Sequence, residues 1–305
     1  MRKYVIVGTG GTGGVVGGYL AKAGMDVTFI ARGKHLEAIK KNGLKILRPQ
    51  DDLVIYPCKA STIEDYNEKA DVVFVCVKGY SLKNIVPHIK RISDENTIII
   101  PILNIYGTGR VLQEQIPDSL VTDGCIYVAS QIQEPGCIKM NGDILRVIFG
   151  VRDASEYRDD LKQIESDLIK SGISGELSDN IALDVLLKFS YVSPQGACGL
   201  YYNVPAGDIQ RPGEIRDCFA GLVHEIDILA QAMDIHFKED IVKRNLAILD
   251  SLSEDATTSL QRDIMNGKDS EIDGLIYEVV RLADRYNADL PIYKKIAAAL
   301  QRNSI

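Results

Sequence analysis

Six residues near the amino terminus, Gly8-Thr9-Gly10-Gly11-Thr12-Gly13, constrain this chain more than any other segment. They follow a short apolar run, Tyr4–Val7, and precede a stretch of helical character reaching Ala23. A G-x-G-x-x-G turn between a strand and a helix is the entry to a βαβ unit that receives a dinucleotide. Gly8 permits the tight turn, Gly10 lets a pyrophosphate approach the backbone, and Gly13 lets the helix pack on the strand. Gly11 and Thr12 open the helix, and with Thr9 they complete the expected cofactor loop. Uncompensated N–H groups and the positive end of the helix dipole would then face the phosphates. The competing reading is a glycine-rich turn that holds nothing.

The next strand, Asp26–Ala31, ends where a dinucleotide site selects its cofactor. An acidic residue there holds the ribose 2′-hydroxyl of NADH. This chain has Ala31-Arg32-Gly33-Lys34 instead. A guanidinium can fork onto a 2′-phosphate and a lysine adds charge, so Arg32 and Lys34 favour NADPH over NADH. A solvated basic turn is the alternative.

Asp71–Val77 is a nearly continuous apolar run, and Ile98–Leu103 is another. Such runs mark strands buried on both faces of a parallel sheet. A helical stretch, Leu82–Ile92, lies between them. Further strands near Leu120–Val128, Gly136–Met140 and Arg146–Phe149 are expected to form an antiparallel extension. From Ile181 onward the apolar spacing is three and four, as in Ala220–Met233 and Leu275–Ala283. The fold class expected is therefore α/β: a Rossmann-type doubly wound sheet followed by an all-helical domain. The boundary is placed between residues 178 and 179, giving 1–178 for the nucleotide domain and 179–305 for the helical substrate domain.

Two polar residues end the later parallel strands. Lys78, after the run ending at Val77, either faces the ligand crevice outside the strand ends or caps the strand in water. Asn104, after Leu103, either bonds a nicotinamide ribose or a substrate carboxylate, or simply forms a turn.

Charge and cysteine usage narrow the remaining classes. With 35 basic and 42 acidic side chains the net charge is −7, a poor basis for gripping a phosphate backbone, so no nucleic-acid partner is expected. No apolar run approaches the roughly 20 residues of a transmembrane helix, and the stretch after Met1-Arg2-Lys3 is too short for a signal-peptide core. Neither a membrane partner nor a leader is expected. The six cysteines are scattered without a Cys-x-x-Cys, and the four histidines lack ligand spacing. They read as free cytoplasmic thiols, with no metal site. Apolar helix faces in the second half could support a homodimer; the sequence leaves the oligomeric state open.

Taken together, these motifs resemble the ketopantoate reductase (2-dehydropantoate 2-reductase) family. The resemblance runs through Gly8, Gly10 and Gly13, the stretch from Ala31 to Ile39, Val77-Lys78, Asn104 with Gly107, Pro135-Gly136, Lys188, and Pro205 with Gly207. It ends in Ser259…Asp263…Gly267-Lys268-Asp269-Ser270-Glu271-Ile272-Asp273, which follows the family signature S-M-x-x-D…G-R-x-T-E-I-D in order and spacing. It implies NADPH-dependent reduction of a 2-keto acid to a 2-hydroxy acid, a step of pantothenate biosynthesis. By the same resemblance Lys188 is the general acid and Glu271 holds the substrate hydroxyl. Ser259 and Asn104 hold the carboxylate, and Asn104 and Glu271 also touch the cofactor. Without the resemblance, Lys188 would be a lysine snorkelling from an apolar helix, Glu271 a solvated carboxylate and Ser259 a helix cap. Ser259 and Glu271 stand twelve apart, so a helix break near Asn266-Gly267 is required for both to serve one site.

Three positions depart from the family pattern. Asparagines expected four and eight residues after the lysine, and between Pro205 and Gly207, are here Val192, Gly196 and Ala206. Losing hydroxyl-binding groups removes discrimination for a hydroxylated substrate. A different, less polar 2-keto acid is one consequence. A β-hydroxyacid or opine-type dehydrogenase and a non-catalytic NADPH sensor are the other readings compatible with these residues.

Overall fold

The computed structural model describes residues 1–302. The chain divides into two units: Met1–Leu103 with Gly107–Ile181, and Asn104–Tyr106 with the residues from Ala182 onward.

The first unit runs β1 (Lys3–Val7), α1 (Gly11–Lys22), β2 (Asp26–Ile30), α2 (Gly33–Asn42), β3 (Leu44–Leu47), β4 (Leu53–Ile55), β5 (Lys59–Ser61), β6 (Val72–Val75), α3 (Leu82–Ile92), β7 (Ile98–Pro101), α4 (Thr108–Gln115), β8 (Leu120–Val121), β9 (Asp123–Tyr127), β10 (Ser130–Glu134), β11 (Cys137–Met140), β12 (Arg146–Gly150), α5 (Asp159–Lys170) and β13 (Ser174–Leu177). Its main sheet is wholly parallel, in the order β5-β2-β1-β6-β7-β8. Alternate residues of one strand enter different cores. Tyr4, Ile6, Phe74 and Phe29 pack with Val16 and Leu20 of α1 and with Leu161, Ile164 and Leu168 of α5. Val5, Val7, Val73 and Val75 pack with Val86, Ile89 and Ile92 of α3 and Leu112 of α4. Both faces are therefore covered, which is why these strands read as unbroken apolar runs. The expected doubly wound sheet is present, and so is the helix Leu82–Ile92.

Two smaller sheets complete this unit, in the orders β10-β11-β3-β4 and β13-β12-β9. The expected single strand Leu120–Val128 is in fact two. Val121 pairs with Ile99 in the parallel sheet, whereas the residues from Asp123 pair antiparallel with β12. The Asp123 carboxylate explains the switch, since it accepts from the Gly109 N–H at 3.0 Å and from Arg152 at 3.4 Å. Gly136–Met140 is likewise not purely antiparallel, because β11 pairs parallel with β3 on its other side.

Helix α1 lies between the main sheet and the four-stranded one, and its glycines allow this. A Cβ at Gly17 would stand 2.6 Å from the Phe29 ring and 2.7 Å from Ile6. One at Gly14 would stand 2.0 Å from Ile138, and one at Gly18 2.5 Å from Ile46. Two adjacent glycine rows thus face two sheets.

The second unit contains α6 (Ile181–Tyr202), α7 (Ala206–Gln210), α8 (Glu214–Ala232), α9 (Ile241–Asp250), α10 (Ser259–Met265), α11 (Glu278–Tyr286) and α12 (Pro291–Arg302). Phe219, Leu222, Val223, Ile226 and Leu229 of α8 recur at three and four and are fully buried. Glu225, also buried, accepts from the N–H groups of Ile292 and Tyr293 at 2.7 and 2.8 Å, capping α12 with a carboxylate from α8. No described helix is long and apolar enough to cross a membrane.

Candidate active site

In the first unit, the glycine turn hangs from the end of β2. The Ile30 carbonyl accepts from the N–H groups of Gly8 and Thr9 and from the Thr9 hydroxyl at 2.9 Å. Thr9 therefore orders the turn with both its hydroxyl and its N–H. A Cβ at Gly13 would meet the Gly8 carbonyl oxygen at 2.2 Å, and one at Gly11 would meet the Ser130 carbonyl oxygen at 2.6 Å. A Cβ at Gly10 would meet nothing within 4 Å. Gly10 is also the N-cap of α1, and no side chain caps that helix. The N–H groups of Gly11, Thr12 and Gly13 lack acceptors within the helix. Open space over Gly10 beside uncapped donors fits a dinucleotide pyrophosphate.

Arg32 is the N-cap of α2, with Gly33 in the left-handed region at φ +53 and Lys34 following. Arg32 and Lys34 are both exposed, as a 2′-phosphate would require. Lys78 is half-buried just past β6, where its carbonyl accepts from Ser81 at 2.9 Å.

The second unit gathers the remaining residues. Lys188 lies on α6 and is only 8% exposed; Glu271 is 5% exposed. The Lys188 ammonium donates to Asn104 Oδ1 at 2.6 Å. Asn104 reaches α6 because the tripeptide Asn104–Tyr106 packs with the helical unit. The Tyr106 ring lies 6.1 Å from that of Phe189, and Ile105 fills the space beside Gly274, where a Cβ would stand 2.4 Å from it. Gly274 sits in a π-helical turn, Asp273–Tyr277, that follows Glu271 directly. The required helix break is present: α10 ends at Met265 and Gly267 adopts φ +62. Ser259 opens α10 but does not cap it. Thr258 does, in a reciprocal box with Gln261 at 3.1 and 3.0 Å. Chemically, a buried ammonium held by an amide oxygen can donate a proton, and Glu271 adds a second buried ionisable group to the same unit.

Comparison with known proteins places the chain. The family model for ketopantoate reductase PanE/ApbA matches residues 4–154, and that for its C-terminal domain matches 180–304. The chain belongs to the ketopantoate reductase family. Like its relatives, this ketopantoate reductase homologue is an oxidoreductase. It is 27% identical over 301 residues to the uncharacterized oxidoreductase YkpB of Bacillus subtilis, covering 98% of each chain. It is 26% identical over 294 residues to a 2-dehydropantoate 2-reductase of Pyrococcus horikoshii, covering 95% of this chain and 93% of the other. The crystal structure of a PanE/ApbA family ketopantoate reductase from Ralstonia eutropha superposes with a TM-score of 0.89 at 23% identity, covering 98% and 97% of the two chains.

Packing closes two of the three positions that depart from the pattern of ketopantoate reductases, Gly196 and Ala206, and leaves Val192 half-buried. A Cβ at Gly196 would already stand 3.2 Å from Leu260 Cδ2. Ala206 is 1% exposed, and Val192 packs against the core of the helical unit. Sequence reasoning passed over His35. Its Nδ1 accepts from the Gly136 N–H at 3.0 Å, and its Nε2 is buried without a hydrogen-bond partner. Burial pushes the imidazole below its ordinary range, and the Thr9 carbonyl works against that shift. The local sequence, though part of the Ala31–Ile39 stretch, gives no sign of this contact, because the partner lies 101 positions away.

Proposed function

We propose that this protein reduces a 2-keto acid to the 2-hydroxy acid with NADPH, Lys188 acting as the general acid. The observation carrying this reading is the buried Lys188 ammonium, 2.6 Å from Asn104 Oδ1. The bound reduced nicotinamide supplies a hydride to the substrate carbonyl carbon. As charge grows on the carbonyl oxygen, the Lys188 ammonium stabilises it and passes its proton to that oxygen. Burial at 8% exposure strengthens this interaction, because little water competes for the ammonium. Asn104 fixes the direction of the amine. Its own N–H₂ group and the Ser259 hydroxyl are donors for the substrate carboxylate. Glu271 accepts from the side-chain hydroxyl of a substrate that carries one, as 2-dehydropantoate does. Gly11, Thr12 and Gly13 hold the pyrophosphate through backbone N–H groups and Gly10 gives it room, while Gly8 and Thr9 shape the turn through their own bonds to Ile30; Arg32 and Lys34 hold the 2′-phosphate. Lys78, Asn104 and Glu271 contact the nicotinamide end.

2-Dehydropantoate is one candidate substrate. Leu260 packed against Gly196 favours a second: a 2-keto acid whose side chain lacks a hydroxyl. NADPH consumption is measured against 2-dehydropantoate and against 2-keto acids with plain aliphatic or aromatic side chains, with Lys188→Ala in parallel. Turnover of one class, lowered about 10²–10⁴-fold in the variant, is expected. No turnover of any of them, or turnover indifferent to the substitution, refutes the proposal.

A further inference from the structure

His35 joins segments that the proposed cofactor would occupy: the Thr9 backbone of the glycine turn, the start of α2 and the turn between β10 and β11. It lies in the first turn of α2, directly after Arg32, Gly33 and Lys34. Its Nδ1 accepts from the Gly136 N–H in the turn between β10 and β11. That turn is held on its other side by the Lys45 N–H, which donates to the Gly136 carbonyl at 2.9 Å. Gly136 itself, at φ +77, approaches α2 so closely that a Cβ would stand 2.9 Å from Ala38 Cβ. The ring is therefore braced against a fixed point of the four-stranded sheet. The start of α2 has no side-chain cap of its own.

We infer that His35 is a positioning residue for 2′-phosphate recognition: its imidazole, anchored on Gly136, sets the orientation of the Arg32–Lys34 turn. The inference rests on the NADPH reading above. Because Nδ1 accepts a backbone N–H, the neutral ring carries its proton on Nε2. Protonation at Nδ1 would turn the acceptor into a donor facing another donor, and the anchor would be lost. The charged groups on the surrounding elements are Arg32, Lys34, Glu37, Lys40 and Lys41 on its own segment, Glu134 and Lys139 on the hairpin, Lys45 on β3 and Lys59 on β5. The causes acting on the ring are burial and the Thr9 carbonyl rather than any of these charges.

The test titrates NADPH and NADH into the wild type, His35→Ala and His35→Asn, following dihydronicotinamide fluorescence from neutral to mildly acid pH. Asparagine places an acceptor oxygen where Nδ1 stands but does not titrate. At neutral pH, His35→Ala is expected to weaken NADPH binding about 5- to 10-fold, with a smaller change for NADH, and His35→Asn to restore most of the loss. The 2′-phosphate itself takes up a proton near pH 6 or so, by analogy with other phosphate monoesters. The readout is therefore the difference between wild type and His35→Asn, with the wild type losing affinity more steeply as pH falls. Equal losses for the two cofactors, parallel acid profiles, or His35→Ala binding like the wild type would overturn the inference while leaving the reductase reading intact. A wild type that binds neither cofactor overturns both.

Discussion

The contrast between Gly10 and Gly13 separates the requirements of folding from those of binding within one turn. At Gly13 an added methyl carbon would lie 2.2 Å from the Gly8 carbonyl oxygen, 2.8 Å from Cys76 Cβ and 2.9 Å from Ile6 Cγ2. Backbone oxygen and Cβ atoms cannot rotate away. Overpacking of this kind costs about 3 kcal/mol, and replacing a helical glycine with alanine returns about 1 kcal/mol. Gly13→Ala should therefore lose about 2 kcal/mol, lowering Tm by about 4–8 °C in a unit of this size. At Gly10 the added carbon meets no atom within 4 Å, and φ −82, ψ −162 suits alanine. There the substitution should leave stability unchanged or raise it by up to about 1 kcal/mol, through a less flexible unfolded chain. The same methyl stands where the pyrophosphate must approach, so dinucleotide affinity should fall about 10- to 100-fold. Thermal unfolding of the two variants, with NADPH titration of Gly10→Ala, checks both. A Gly13→Ala protein that melts with the wild type, or a Gly10→Ala protein that binds NADPH undiminished, would refute the reasoning.

Other perturbations probe separate parts of the molecule. Glu225→Ala leaves the Ile292 and Tyr293 N–H donors of α12 without their carboxylate acceptors and should cost about 2–4 kcal/mol, read as a lower midpoint in urea. Thr258→Ala removes the cap of α10 and should cost about 1 kcal/mol, with Thr258→Ser recovering most of it. Asn104→Ala deprives the Lys188 ammonium of its 2.6 Å acceptor, and kcat/KM should drop about 10- to 100-fold. His35 gives the acid dependence of stability a sign. Because burial holds its folded pKa below 6.5, its contribution is complete above that value and declines as pH falls beneath it. His35→Asn should consequently lose less Tm than the wild type on acidification to pH about 5.

How much of this was legible in the sequence follows from the range of the interactions involved. The glycine turn and the strands β1, β6 and β7 could be read directly, because their signals are local and their burial on both faces leaves no polar residue to break the run. The helix α3 was legible for the same reason. The strands β3, β4, β10 and β13 were not, since three to five residues carry too little periodicity. Beyond the fingerprint, the glycine rows of α1 carried no reading from sequence. Their purpose appears only once Ile138 and Ile46 are seen against Gly14 and Gly18. At the candidate site, residue types were legible from the family pattern. The docking of Asn104 on α6 was not, because Tyr106 and Phe189 find each other across more than eighty positions. The capping box Thr258-x-x-Gln261 was visible in the sequence, yet a run of three hydroxyl residues, Thr257-Thr258-Ser259, hid which one served.

The tripeptide Asn104–Tyr106 has a practical corollary for anyone who recombines members of this family. Sequence alone invites a single crossover near residue 181, trading one carboxy-terminal half for another. Yet the ammonium of Lys188 takes its acceptor from a residue 84 codons upstream, and Ile105 packs against Gly274. A hybrid gene that carries the foreign helices must therefore also carry those three upstream codons, or its lysine arrives without its asparagine.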